Sequence, residues 1–318
     1  GTLVQSVAIP TTASGANKAF VGNGTATTDG YLSRSSNKKY VAFTGYNATL
    51  GQYSADVQTS VSDKVMGYIT YDKTINTSTS FASTSFVGSS TNSRAAHTED
   101  GTNFWITGGS GTGAFYAKPG ETPVKLSTDG TNFRSISVFD NQLYITSASG
   151  SLRLASVGTG MPVTDGQTVA SLPGILATLQ INQAVFLDLS SAEPGSDVVY
   201  FGTNNSIQKY SKVSGTWVAN GSITTTQAIY GTAAKVSGTS VQVVGSRFVS
   251  NSATEIVTFT DASGYNATVT GDVSVLVANK ANQVIRGISL TPEQDALPVG
   301  MINFTASKAL GNNVLSFN

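Results

Sequence analysis

Apolar and polar positions alternate in short runs along most of this chain, the period of a strand with one buried face. The clearest stretch is 132–174. Phe133-Arg134-Ser135-Ile136-Ser137-Val138-Phe139 opens it, and runs at 142–148, 151–157 and 167–172 follow. Asp140-Asn141, a turn at Gly150 and a loop at 158–166 separate them. Consecutive short strands joined by tight turns form one antiparallel sheet.

The same unit recurs at 30–86, 93–128, 183–223 and 228–277. Asp100-Gly101-Thr102-Asn103 returns as Asp129-Gly130-Thr131-Asn132, and Asp-Gly supplies the positive φ of a tight turn. Repetition of a four-stranded unit predicts an all-β fold, a single closed β-propeller of four-stranded antiparallel blades with essentially no helix. Inner strands start near 31, 94, 134, 183, 230 and 286, which gives about six blades. Seven is the alternative, because the polar insertion at 46–62 has room for further strands. The run at 284–290 lacks followers, and the alternating run at 3–9 lacks a neighbour. We expect these two to share one blade, a velcro closure between N- and C-terminal strands that removes the sheet edges. The propeller is assigned to 1–296. Residues 297–318 are read as a linker and a short β-hairpin tail turning at Gly311-Asn312.

Of the 318 residues, 39% are hydrophobic and only 11% charged, which suits many short strands and excludes a helical protein. Eighteen basic residues balance eighteen acidic ones, so no basic face for nucleic acid or an anionic membrane is expected. There is no cysteine, which excludes disulfides and thiolate chemistry. No apolar run is long enough for a transmembrane segment. The opening Gly1-Thr2-Leu3-Val4-Gln5-Ser6 lacks leader character and reads as a mature or trimmed terminus.

Several segments carry a family likeness: DGTNFWITGGSGTGAFYA, FRSISVFDNQLYITSASGSLRLASVGTGMP, VFLDLSSAEPGSDVVYFGTNNSIQKYS and VIRGISLTP. They resemble a group of secreted bacterial β-propeller proteins without an established activity. The likeness covers residues 1–292 and implies the fold, secretion, and a start inside the closing blade. The tail LPVGMINFTASKALGNNVLSFN resembles the linker that precedes the sorting domain of Bacteroidota proteins exported by the type IX system, with Phe317 where that linker often has Trp.

Aligning the inner strands places Arg94, Arg134 and Arg286 at one position, with Tyr31, Tyr230 and Gln183 there in the other blades. The following residue is small in four of them: Ala95, Ser135, Gly231 and Gly287. Inner strands line the central channel, so three guanidiniums at one mouth form a site for carboxylates or sulfates. The competing reading is that each arginine bonds carbonyls of the next blade as part of the repeat.

His97 is the single histidine and cannot build a multi-histidine metal site. It is read either as a general base beside Glu99 or Asp100 or as a packed side chain, and no sequence pattern selects a serine for it. No nucleophile elbow, phosphate-binding loop or calcium loop is present, and no cofactor is implied. Asp140, Asp188, Glu193 and Asp197 are weighed as paired carboxylates against turn capping. Trp105, Tyr116, Tyr144, Tyr210 and Trp217 are read as interblade core rather than as sugar platforms.

These readings lead to a secreted or cell-surface, non-catalytic binding module. Its ligand, an acidic glycan or a surface protein, is placed at Arg94, Arg134, Arg286, Tyr31, Tyr230 and Gln183. The alternative is a structural subunit that self-associates into an extracellular assembly or filament. A polysaccharide lyase or hydrolase comes third.

Overall fold

The computed structural model describes residues 3–24, 26–51, 61–86, 92–109, 111–130, 132–294, 304–309 and 312–317. Five four-stranded sheets follow one another, each an up-and-down antiparallel meander. Blade 1 holds β1 (Ser33–Arg34), β2 (Val41–Asn47), β3 (Asp63–Ile69) and β4 (Ile75–Phe81). Blade 2 holds β5 (Ser93–His97), β6 (Phe104–Gly108), β7 (Ala114–Ala117) and β8 (Val124–Lys125). Blade 3 holds β9 (Phe133–Phe139), β10 (Gln142–Ser147), β11 (Leu154–Val157) and β12 (Val169–Ser171). Blade 4 holds β13 (Ala184–Leu187), β14 (Val198–Gly202), β15 (Ser206–Val213) and β16 (Thr216–Thr224). Blade 5 holds β17 (Ile229–Ser237), β18 (Ser240–Ser250), β19 (Ala253–Asp261) and β20 (Ser274–Val277). One 3-10 turn at Ser83–Ser85 is the only helical element among the described residues. No helix among them is long and apolar enough to cross a membrane. The strands β21 (Phe304–Ala309) and β22 (Asn312–Phe317) pair as a hairpin near the end of the chain; of the turn expected at Gly311-Asn312, Gly311 lies outside the described residues, as do 52–60 of the first insertion.

The strands form because their alternation puts one row of apolar side chains on each sheet face. Neighbouring blades then cover both faces of blades 2, 3 and 4 and one face each of blades 1 and 5. Four buried clusters result. Met66, Phe81 and Phe86 meet Phe104 and Phe115 between blades 1 and 2. Trp105 and Leu126 meet Ile136 and Leu143 between blades 2 and 3. Phe186 lies between Tyr144 and Trp217 at the next interface, stacked on the first at 4.7 Å and edge-on to the second at 5.5 Å. Tyr200 and Ile207 meet Val243 and Phe259 between blades 4 and 5. Trp105, Tyr144, Tyr210 and Trp217 thus belong to interblade cores, as their strand positions require.

Among the described residues the blade count of six or seven is corrected to five. Counting inner strands makes the run at 284–290 the inner strand of a further blade shared with residues 3–9, but it pairs as no named strand. It passes instead between the inner edges of blades 5 and 1. A Cβ on Gly231 would lie 2.6 Å from the Arg286 carbonyl oxygen, and one on Gly287 2.5 Å from the Gly30 oxygen and the Leu32 nitrogen. The small residues noted in the inner strands therefore allow backbone to run against backbone. Gln183 stitches the seam: its Nε2 donates to the carbonyls of Leu32 (2.8 Å) and Ile288 (2.9 Å).

The expected velcro strand is not formed either. Residues 3–9 adopt no strand, and Leu3 and Val4 are exposed. The N-terminal segment packs on blade 1. Val21 bridges Tyr46, the Lys18 amide donates to Thr77 O at 3.1 Å, and the Phe20 ring stands edge-on to Phe43 over Gly45.

Candidate functional site

The inner strands run in one direction around the axis; Tyr31 and Ala95 form a parallel bridge. Their N-terminal ends therefore share one mouth. Arg94 and Arg134 lie within electrostatic range of each other and of Tyr31, and Arg134 and Arg286 both reach Tyr31 and Tyr230. Arg94 and Arg286 flank the carboxylate of Asp29. The three arginines, Tyr31 and Tyr230 are thus one cluster. Gln183 is not free to join them: beyond its two donated bonds, its Oε1 accepts from the backbone nitrogens of Thr232 and Ile288, both at 3.3 Å.

The arginines are held differently. Arg94 Nη1 donates to Asn132 Oδ1 (2.5 Å) and to Phe133 O (3.3 Å), so the interblade reading holds in part for this residue. Arg134 Nη1 donates to Asn182 Oδ1, which also accepts from the Tyr31 hydroxyl at 3.3 Å. The Arg286 guanidinium makes no hydrogen bond to a described residue, while its carbonyl accepts from Ser246 Oγ at 2.9 Å and its stem packs against Gly30. The Nε atoms of all three are buried without a hydrogen-bond partner among the described residues.

Asp29 is the one carboxylate at this mouth for which contacts with the arginines are resolved. Its Oδ1 sits 3.6 Å from Arg94 Nε, and its Oδ2 accepts from Asn92 Nδ2 at 3.3 Å and Tyr46 OH at 3.5 Å. Burial raises its pKa above the ordinary carboxylate value, and the pull of Arg94 and Arg286 in the other direction does not cancel this. Burial likewise pushes the Tyr31 phenol up to about 12 and lowers the Arg134 and Arg286 guanidiniums from their ordinary value. A cleft of about 210 Å³ opens beside the cluster, bounded by Asp29, Tyr46, Ser93 and Arg286 on its polar side and by Ile9, Phe20 and Phe43 on its apolar side.

Asp29, Asn132 and Asn182 were not singled out from sequence. A signal exists: Asp29, Asn92 and Asn132 each stand two residues before the aligned position, so an acid or amide accompanies three of the inner strands. The four carboxylates weighed as a pair serve turns where their bonds are seen. Asp197 accepts from the Leu189 and Ser190 amides, Asp140 from Ser196 N, and Glu193 from Ser214 N.

No family model matches the chain, and no curated protein matches it. Among solved structures it is similar to a subtype N11 neuraminidase-like protein of A/flat-faced bat/Peru/033/2010 (H18N11), with 14% identity and a TM-score of 0.43 over 88% of this chain and 82% of that one.

Proposed function

We propose that the chain is a secreted or cell-surface binding module that holds an acidic glycan at the arginine mouth of the propeller. One observation carries this reading: the buried guanidinium Nε–H donors of Arg94, Arg134 and Arg286, in one cluster, lack a hydrogen-bond acceptor among the described residues, and two of these arginines flank a desolvated carboxylate. An unpaired buried donor costs about 1–3 kcal/mol. A sulfate or carboxylate that accepts from these groups removes that cost and gains charge-assisted bonds. Three cations against one carboxylate leave a local excess of positive charge, although the whole chain is neutral. The apolar side of the cleft suits the ring face of a sugar. Export rests on the likeness of residues 1–292 to secreted bacterial propellers and of the tail to the type IX linker.

The test is an array of neutral and acidic glycans, with acidic peptides as a second arm. It is probed with the chain and with an Arg94/Arg134/Arg286→Ala variant. Retention of sulfated or carboxylated glycans by the parent alone is the expected outcome. Retention of neutral glycans by both proteins alike refutes the site, and retention of acidic peptides alone replaces the glycan by a protein partner.

A further inference from the structure

The other mouth of the channel, where the inner strands end, holds a second constellation. Ser33 Oγ lies 2.7 Å from His97 Nδ1, and His97 Nε2 lies 2.8 Å from Glu99 Oε1. Glu99 is fixed in turn by the Ser36 amide, which donates to both carboxylate oxygens at 2.8 and 3.0 Å. Burial works to raise the pKa of Glu99, but the bonds from His97 and Ser36 outweigh it and hold the group below its ordinary value. An ionised Glu99 only accepts, so the His97 Nε2 beside it carries a proton. Nδ1 is then the nitrogen that faces Ser33 Oγ at 2.7 Å, nearer than Ser137 Oγ, the other acceptor for the serine's one proton at 3.2 Å. This is the order a nucleophilic serine needs: hydroxyl, base, orienting carboxylate.

The serine faces space. Ser33 bounds a cavity of about 290 Å³ whose walls include Val138, Phe186, Ala234 and Leu290. Thr232 bounds the same cavity, and its Oγ1 is buried with no hydrogen-bond partner among the described residues. A hydroxyl in that state is a donor in want of an acceptor. A packed histidine needs neither the cavity nor the idle threonine.

We propose that Ser33, His97 and Glu99 form an acyl-transfer site that hydrolyses small, uncharged carboxylic esters with a short apolar acyl group. Ser33 Oγ attacks the ester carbonyl carbon while its proton passes to His97 Nδ1. The carbonyl π pair moves onto oxygen, and Thr232 Oγ1, on the wall of the same cavity, is the unpartnered hydroxyl offered to stabilise it. The carbonyl reforms, the ester C–O bond breaks, and the departing alkoxide takes the proton from Nδ1 to leave as an alcohol. Water then gives a proton to Nδ1 and attacks the acyl carbon. Ser33 Oγ departs with that proton, and the carboxylic acid is released. The apolar wall selects the acyl chain. Glu99 is a positioning residue that sets the tautomer of His97.

The test uses the full chain with p-nitrophenyl acetate and butyrate, and with a fluorophosphonate whose adduct is mapped by mass spectrometry. We expect turnover above buffer, a single adduct on Ser33, and at least a hundredfold loss of kcat/KM in Ser33→Ala. Glu99→Gln should lower kcat more than it changes KM, since it acts through the base. The adduct is read on the unaltered protein, so the test stands even if a variant fails to fold. No adduct on Ser33, or turnover that survives Ser33→Ala, overturns the proposal.

Discussion

Asp29 Oδ1 lies 3.6 Å from Arg94 Nε, and neither atom has a hydrogen-bond partner among the described residues. The pair is close enough to attract and too far apart to bond. Arg94 spends Nη1 on Asn132 and Phe133, and this restrains its Nε from closing on the carboxylate. The carboxylate therefore keeps the high pKa that burial imposes.

The first expected consequence concerns pH. Protonating Asp29 removes the one negative charge seen among the arginines, so an anion should bind more tightly as pH falls. Because the Asp29 pKa is raised, this gain sets in above the ordinary carboxylate value of about 3.9. A sulfated ligand keeps its own charge over that range and is the right probe. Calorimetric titration should show affinity rising as pH is lowered. Asp29→Asn should bind more tightly at pH 7 and lose the pH dependence.

A second expectation concerns stability. Lys209 Nζ and Asp261 Oδ2 are 2.8 Å apart, and both side chains are buried. Tyr200 OH donates to the same oxygen at 2.6 Å, and Lys209 Nζ also donates to Ser263 Oγ and Gly264 O. Removing one partner strands a buried charge, so Lys209→Met or Asp261→Ala should each cost about 3–5 kcal/mol in urea unfolding. Burial alone would raise the Asp261 pKa, but Lys209 and Tyr200 depress it well below the ordinary value. A depressed carboxylate stabilises the fold above its unfolded pKa, and this is lost as pH falls through the folded one. Acid unfolding of the parent should therefore steepen below about pH 4, and Asp261→Asn should flatten that dependence.

The third expectation tests the seam. Gly231→Ala and Gly287→Ala place a methyl 2.5–2.6 Å from backbone atoms that have no flexible end to move aside. Forcing extra carbon into such a contact costs about 1–3 kcal/mol or more. Denaturant midpoints should fall in both variants, while Gly120→Ala, where a Cβ meets nothing within 4 Å but the φ of +79° is strained, should fall less.

The blade plan was legible because each strand such as Phe133–Phe139 declares its buried face by alternation, and the Asp-Gly turns mark its ends. The aligned arginines were legible for a related reason. A repeat fold converts equal register into equal height on the channel, so Arg94, Arg134 and Arg286 could be grouped without coordinates. The count was not legible, because the 284–290 run has the pattern of an inner strand while its surroundings leave it only a seam to fill. Ser33 and His97 were equally hidden. They stand 64 residues apart on adjacent inner strands, and register alone does not say which hydroxyl meets the imidazole. Asp29 was missed because an acid before a glycine reads first as a turn.

The measurement that bears most directly on the arginine mouth is the affinity of a sulfated oligosaccharide for Arg286→Ala beside the parent. The Arg286 guanidinium makes no hydrogen bond to a described residue, and the carbonyl bond from Ser246 Oγ survives its removal, so the side chain contributes little to holding the fold. At least a tenfold loss of affinity with an unchanged melting temperature is the expected result. Equal affinity in the two proteins would contradict the account.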